Sequence, residues 1–189
     1  MIEKQIYVIT GGPGFGKTSL VEALRQTGYQ CSGEFARNLI QSQQDSGGNI
    51  LPWKNAKLFQ QHILQKRIDF FNSVPDDSFA FADRAIPDQL AFAKYRGFDV
   101  PEVLSDCSQK YRYAPQVFVT PPWAEIFRND TIRTESYEEA TRIHDFVVET
   151  YLSLNYEIIE LPLLPVKERM KYLLQTLTNF NTEGNKITD

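Results

Sequence analysis

The strongest constraint on this chain is a glycine-rich run near its start, Gly-Gly-Pro-Gly-Phe-Gly-Lys-Thr, at residues 11–18. The run fits the pattern G-x-x-x-x-G-K-[ST], in which backbone N–H groups curve around a chain of phosphates. Glycines permit that curve because they have no Cβ and tolerate positive φ. A dinucleotide-binding G-x-G-x-x-G would need a glycine in place of Lys17, so that alternative is excluded. We call residues 11–18 the phosphate loop.

The neighbours of the phosphate loop support this interpretation. Residues 4–10 are typical of a β-strand that enters the loop, and residues 19–25 of a helix that leaves it. Lys17 is expected to place its charge on the β- and γ-phosphates, and Thr18 to offer its hydroxyl to Mg²⁺. The residues predicted to bind the nucleotide are Gly11, Gly12, Pro13, Gly14, Phe15, Gly16, Lys17, Thr18 and Ser19.

Length and composition indicate one globular domain. The chain has 189 residues, 42% of them hydrophobic and 23% charged, and we predict a single domain over residues 1–178 with a polar tail over residues 179–189. The net charge of -4 argues against nucleic acid as a partner. The spacing of Cys31 and Cys107 predicts neither a zinc site nor a disulfide. We expect no membrane partner and a cytoplasmic location, because no signal peptide or long apolar run is recognisable.

Strand-like and helix-like segments alternate along the chain, which predicts an α/β fold with a parallel sheet and helices on both faces. The later predicted strands are residues 29–32, 78–83, 116–120 and 156–161. The later predicted helices are residues 33–40, 54–72, 87–96, 102–111, 136–154 and 166–177. The polar, glycine-containing residues 41–49 predict a loop.

Asp83 ends the apolar run of residues 78–82. An acid at the carboxyl end of a parallel strand lies in the crevice where open α/β sheets bind ligands. There it could hold Mg²⁺ or take a proton from a phosphoryl acceptor. Arg84, beside it, could bind an anionic substrate or pair with an acid.

Two further pairs of residues are candidates. Glu34 and Arg37 share a helix face and could bind a substrate opposite the phosphate loop or form a surface ion pair. Arg128 and Arg133 belong to a polar connector, which could bring positive charge to a transferred phosphoryl group or stay a solvated loop.

Taken together, these residues resemble the nucleoside/nucleotide-kinase branch of P-loop proteins. More narrowly, the chain resembles the AAA-type domain family grouped with the kinase domain of the NadR ribosylnicotinamide kinases. Glu34-x-x-Arg37 and Asp83-Arg84 carry the likeness, and Ala85 stands where that group has a glycine. The resemblance implies a three-layer α/β/α P-loop nucleoside triphosphate hydrolase fold with a parallel five-stranded sheet, in strand order 2-3-1-4-5, and ATP or GTP with Mg²⁺ as cofactors.

The sequence thus favours a Mg²⁺-dependent enzyme that transfers the γ-phosphoryl group of ATP or GTP to a small, nucleoside-like acceptor. The expected catalytic residues are Lys17, Asp83, Arg128 and Arg133. The expected substrate-binding residues are Glu34, Arg37 and Arg84, and the expected metal ligands are Thr18 and Asp83. The alternative is a regulatory protein that binds ATP or GTP, hydrolyses it slowly and signals its nucleotide state to a protein partner. For either function, a protein partner or a homodimer is compatible with the sequence.

Overall fold

The structure, a computed structural model, describes residues 2–128 and 135–184. Strands and helices alternate along most of this part of the chain. In chain order they are β1 (Ile2–Glu3), β2 (Ile6–Gly11), α1 (Lys17–Gln26), α2 (Phe35–Asp45), α3 (Ala56–Ser73), β3 (Ala80–Asp83), α4 (Ile86–Tyr95), α5 (Glu102–Lys110), β4 (Tyr111–Arg112), β5 (Gln116–Thr120), α6 (Tyr137–Ser153), β6 (Glu157–Glu160) and α7 (Val166–Gly184).

The main sheet is parallel and four-stranded, with the order β3-β2-β5-β6. Its register places Val8 of β2 opposite Ala82 of β3 and Val117 of β5. The carboxyl ends of β2 and β3 therefore lie side by side. This confirms the predicted α/β class.

The predicted second strand, residues 29–32, is wrong as a strand, so the main sheet has four strands and not the five predicted. Residues 29–32 lie beside β3, as the predicted order requires, but they make only one parallel bridge, between Cys31 and Phe81. The backbone N–H of Ser32 donates to the Phe81 carbonyl at 2.9 Å. Helix α2 begins at Phe35, so the chain turns away before a ladder can extend. A separate parallel pair of β1 and β4 was not predicted.

Helices cover both faces of the sheet because side chains alternate along each strand. Ile6 and Val8 belong to one core cluster, and Tyr7 and Ile9 to the other. Helices α3, α4, α5 and α6 pack on the first face, through Phe71, Ile86, Leu90, Leu104, Ile143, Val147 and Tyr151. Helices α1 and α7 pack on the second face, through Leu20, Val21, Leu24, Leu173 and Leu177. The arrangement confirms the three-layer fold.

The ends of three helices can be compared with the bounds predicted from the sequence. Helix α2 continues to Asp45, so the predicted loop over residues 41–49 is wrong for its first part; the Gln41 side chain donates to Asp45 one turn later at 2.9 Å. The predicted start of the helix near residue 136 is confirmed, and a capping box holds it, since the Ser136 N–H donates to the Glu139 carboxylate at 2.8 Å. Helix α7 continues to Gly184 and so includes part of the segment predicted as a polar tail.

None of the helices within residues 2–128 and 135–184 combines the length and the apolar character that crossing a bilayer demands.

Candidate functional site

The phosphate loop connects the end of β2 to the start of α1. Gly11, Gly14 and Gly16 adopt positive φ values of 130°, 79° and 79°. A Cβ on Gly11 would also lie 2.4 Å from the carbonyl oxygen of Thr120 in β5. Glycine is thus required for both backbone conformation and close approach, as the sequence pattern predicted.

Lys17 lies inside the curve of the loop. Its side chain is buried, and Nζ donates to the carbonyl oxygen of Gly12 at 2.5 Å. The ammonium group therefore bridges the two ends of the loop. A phosphate chain bound in this curve would meet both the lysine charge and the N-terminal end of α1.

Four predicted site residues meet beside the loop. The Thr18 hydroxyl donates to the Glu34 carboxylate at 3.1 Å, and both line a cleft of roughly 570 Å³ together with Arg37 and Asp83. We call this the Asp83 cleft. Its lining residues are Thr18, Val21, Arg25, Cys31, Gly33, Glu34, Arg37, Asn38 and Asp83. The structure thus brings the start of α1, the start of α2 and the end of β3 around one space.

The Asp83 carboxyl group has a perturbed acidity. Burial raises its pKa to about 6, against the pull of Lys17 and Arg84, and the negative charges of Glu34 and Asp88 raise it further. The backbone N–H of Asp83 donates a hydrogen bond to Ser32 Oγ at 2.8 Å, which fixes the end of β3. A carboxylate that titrates close to neutral pH suits a general base.

Arg84 lies apart from the lining of the Asp83 cleft. It has a positive φ of 63°, and its guanidinium donates to the Asp88 carboxylate at 2.9 Å and stacks on Phe92 at 5.0 Å. Of the two alternatives for Arg84, the structure therefore shows the pairing with an acid. Ala85, in place of the glycine of the related group, has an extended backbone that any residue adopts.

Asp88 is a buried residue that the sequence reasoning missed. Its carboxylate accepts hydrogen bonds from Thr10 Oγ1 at 2.5 Å, Tyr151 Oη at 2.7 Å and the Ala85 N–H at 2.8 Å. It thereby ties the end of β2 to the start of α4 and to α6. Its position four residues after Arg84 was the available signal.

The acidity of Asp88 reflects these contacts. Burial alone would raise its pKa, but the positive charges of Arg84 and Arg67 and the donated hydroxyl hydrogen bonds outweigh burial and lower it. Asp88 is therefore charged in the folded protein over the neutral range.

Aromatic rings also pack against the phosphate loop. Phe127, in the segment after β5, lies against Gly14, where an added Cβ would approach its ring to 2.6 Å. Phe127 also contacts the rings of Phe15 and Tyr137, with centroids 6.1 and 5.4 Å apart. This segment holds the loop through packing, and the sequence pattern gave no sign of it.

Of the two arginines predicted to act on the transferred phosphoryl group, the structure describes only Arg128. Arg128 is exposed, and its Nη1 donates to the carbonyl oxygens of Glu125 and Phe127 at 3.1 and 2.6 Å. Arg133 lies outside the described residues. Both assignments to the transferred phosphoryl group stay predictions.

The oxygen groups beside the loop fit a magnesium ion. Thr18 supplies a hydroxyl, and Glu34 and Asp83 supply carboxylates, which are the hard ligands that Mg²⁺ prefers. Within the described ranges, no group of three or more His, Cys, Asp or Glu side chains could hold a metal alone. Mg²⁺ in such sites is held by one or two carboxylates together with substrate phosphates, so these residues suit a metal that arrives with the nucleotide.

Solved structures share this fold at low sequence identity. Deoxyadenosine kinase from M. mycoides, determined with the products dCMP and a flexible dCDP, matches with a TM-score of 0.64 at 15% identity, over 93% of this chain and 100% of that one. Shikimate kinase from Acinetobacter baumannii, in complex with shikimate, matches with a TM-score of 0.54 at 14% identity, over 93% and 94% of the two chains.

The NadR protein in complex with NR matches with a TM-score of 0.63 at 16% identity, over 93% of this chain but 51% of that one. No curated protein sequence matches the chain. The family model described as AAA domain matches residues 6–169. Because that match covers most of its length, the chain belongs to this family of AAA domains, and the resemblance to a P-loop nucleoside-kinase-like domain is confirmed.

Proposed function

We propose that the protein is a Mg²⁺-dependent kinase that transfers the γ-phosphoryl group of ATP or GTP to a small, nucleoside-like acceptor. The observation that carries the proposal is the Asp83 cleft, which places a buried carboxylate of raised pKa beside Thr18 and the phosphate loop. Phosphoryl transfer needs a metal ligand or a proton acceptor near the reacting group, and Asp83 could supply either.

The residues of the chain take distinct roles in this proposal. Lys17 and the loop N–H groups hold the phosphates, and Thr18 and Asp83 would hold the ion. Bound Mg²⁺ would neutralise phosphate charge. Alternatively, Asp83 would leave the ion to Thr18 and the phosphates and accept the proton of an acceptor hydroxyl, since the raised pKa of the metal-free carboxyl lets it bind that proton near neutral pH.

The acceptor would lie between Glu34, Arg37 and Asp83. A carboxylate and a guanidinium on one side of the cleft offer an acceptor and donors of hydrogen bonds, which suits a polyhydroxylated or heterocyclic molecule. The proteins of similar fold include kinases whose structures hold a deoxynucleotide or shikimate, which supports a small-molecule acceptor. We place the activity in the cytoplasm and assign Arg128 and Arg133 to charge on the transferred group.

Phosphoryl transfer can be tested with γ-labelled ATP or GTP, Mg²⁺ and a pool of nucleosides and related hydroxyl compounds. The proposal expects label in a small molecule, and loss of that label in Asp83→Asn. Slow phosphate release that no acceptor changes would instead indicate the regulatory alternative. Lys17→Ala should abolish triphosphate binding, and retained wild-type affinity would overturn the shared premise.

A further inference from the structure

The first turn of α7 brings a buried arginine against the phosphate loop. Arg169 is 3% exposed, and its Nη1 donates to the carbonyl oxygen of Gly16 at 3.2 Å, across 153 residues of sequence. A Cβ on Gly16 would lie 2.9 Å from Nη1 and 3.1 Å from Nη2. The guanidinium group therefore packs directly on the loop where α1 begins.

The guanidinium group of Arg169 also contacts the segment after β5. The guanidinium carbon lies 5.6 Å from the ring centroid of Trp123. Ile126 of the same segment also reaches Gly16, since an added Cβ would lie 3.0 Å from its Cδ1. Arg169 thus lies between the loop and an indole ring, and Trp123 is linked to the phosphate loop through Arg169.

The burial of Arg169 is incompletely compensated. Burial lowers its pKa, and its Nε has no hydrogen-bond partner. Within residues 2–128 and 135–184, no charged neighbour offsets the effect of burial on its pKa. A buried guanidinium without a counter-ion is costly, and a polyanion held by the adjacent loop would offset that cost.

The geometry of the peptide bond links Arg169 to phosphate binding. All described peptide bonds are trans, and in a trans peptide the carbonyl and the following N–H point in opposite directions. Because the Gly16 carbonyl points at Arg169, the Lys17 N–H points away from it. Lys17 is the first residue of α1, whose first-turn N–H groups face the end where an anion binds.

We propose that Arg169 is a positioning residue of the nucleotide site, which fixes the Gly16–Lys17 peptide for phosphate binding and couples that event to Trp123. The inference rests on the proposed function only in that the loop takes a phosphate chain. Phosphoryl transfer is not required.

Tryptophan emission gives a direct test. The chain has two tryptophans, so Trp53→Phe, at a position that is 60% exposed, leaves Trp123 as the single reporter. In this background, MgATP, MgGTP and inorganic tripolyphosphate are titrated without acceptor into the parent protein, Arg169→Met and Arg169→Lys. Arg142→Met, at an exposed position, is the matched control. Thermal unfolding of each variant confirms that it is folded at the assay temperature.

We expect the Trp123 emission of the parent protein to change on binding. Arg169→Met should weaken affinity for every phosphate probe that binds by about tenfold or more, because an oriented donor and a buried charge are lost. Arg169→Lys should recover part of the affinity, and this comparison remains available if Arg169→Met does not fold. The control should bind like the parent protein.

Wild-type affinity in Arg169→Met, or equal losses in Arg169→Met and Arg142→Met, would overturn the inference. Failure of all three probes to bind the parent protein would overturn both this inference and the proposed function. Arg169-dependent binding without transfer to any acceptor would support the inference and overturn only the kinase.

Discussion

One part of the phosphate loop borders the polar and charged groups of the Asp83 cleft, whereas another part packs against a segment rich in aromatic rings. We call these the cleft side and the aromatic side. Thr18, Glu34 and Asp83 surround an open space on the first side. On the second side, Phe127 covers Gly14, and Arg169 is enclosed between Gly16 and an indole.

The difference separates two physical tasks. Polar and charged groups that line an open cleft can bind and deprotonate a reactant, but contacts between exposed charges restrict a backbone only weakly because solvent screens them. Rings in contact exclude water and restrict the conformations of a loop that contains several glycines. We infer that the cleft side performs the chemistry and the aromatic side maintains the shape of the phosphate loop.

The largest effect is expected from a substitution of Asp83, on the cleft side. Asp83→Asn should reduce kcat about 100- to 10,000-fold, because the amide cannot accept the acceptor proton, while the affinity for the triphosphate without Mg²⁺ stays within a few-fold. Steady-state kinetics and nucleotide titrations check this. The matched control is Asp145→Asn at an exposed site on α6. Equal losses of kcat in the two variants would contradict a catalytic role.

Asp88 connects the elements that surround the site, so its substitution should lower the stability of the fold. Asp88→Asn leaves the guanidinium of Arg84 and the buried Arg67 without their shared counter-ion. We expect the free energy of unfolding to fall by about 3–5 kcal/mol, as for other buried ion pairs that lose one partner. Urea unfolding measures it, and a loss no greater than that of Tyr151→Phe, which removes one neutral donor, would contradict the account.

The raised pKa of Asp83 makes stability depend on pH. The carboxyl keeps its proton in the folded protein up to about pH 6, whereas its ordinary pKa is 3.8. Between these values the folded state binds more protons than the unfolded chain, so the free energy of unfolding falls as the pH rises through this window.

Relative to Asp83→Asn, metal-free wild-type protein should lose on the order of 2 kcal/mol between about pH 4 and pH 6. Urea unfolding of both proteins at closely spaced pH values measures the difference. Parallel stability curves would show that Asp83 has an ordinary pKa.

The smallest expected effect tests the aromatic side. Phe127→Ala removes a half-buried ring from Phe15 and Tyr137, so the free energy of unfolding should fall by about 1–2 kcal/mol. The KM for the nucleotide should rise, because the loop is less restrained, while the KM for the acceptor should not change. A rise confined to the acceptor KM would reverse the assignment of the two sides.

The sequence predicted the parts of the site that depend on local patterns. The phosphate loop follows from its glycine and lysine spacing, and the placement of Asp83 near Thr18 follows from two neighbouring parallel strands ending at one edge. The second predicted strand failed as a strand because it makes only one bridge, at Cys31, before the chain turns into α2. Strand propensity describes one segment by itself, so it does not indicate how many of its residues pair with a neighbouring strand.

Apart from the spacing of Arg84 and Asp88, the contacts of the supporting residues could not be predicted, because most of their partners are distant in sequence. Asp88 takes its hydrogen bonds from Thr10 and Tyr151, which lie 78 and 63 residues away. Arg169 belongs to a helix whose sequence shows only an ordinary amphipathic pattern. Contacts of this kind arise from packing of the layers, which leaves no local signature.

The most direct test of the central claim is a crystal structure with Mg²⁺ and a non-hydrolysable ATP or GTP analogue. The account predicts that the triphosphate lies in the phosphate loop, with its γ-phosphoryl group directed into the cleft between Glu34 and Asp83. A triphosphate whose γ-phosphoryl group faces away from Asp83, or one bound elsewhere, would contradict it.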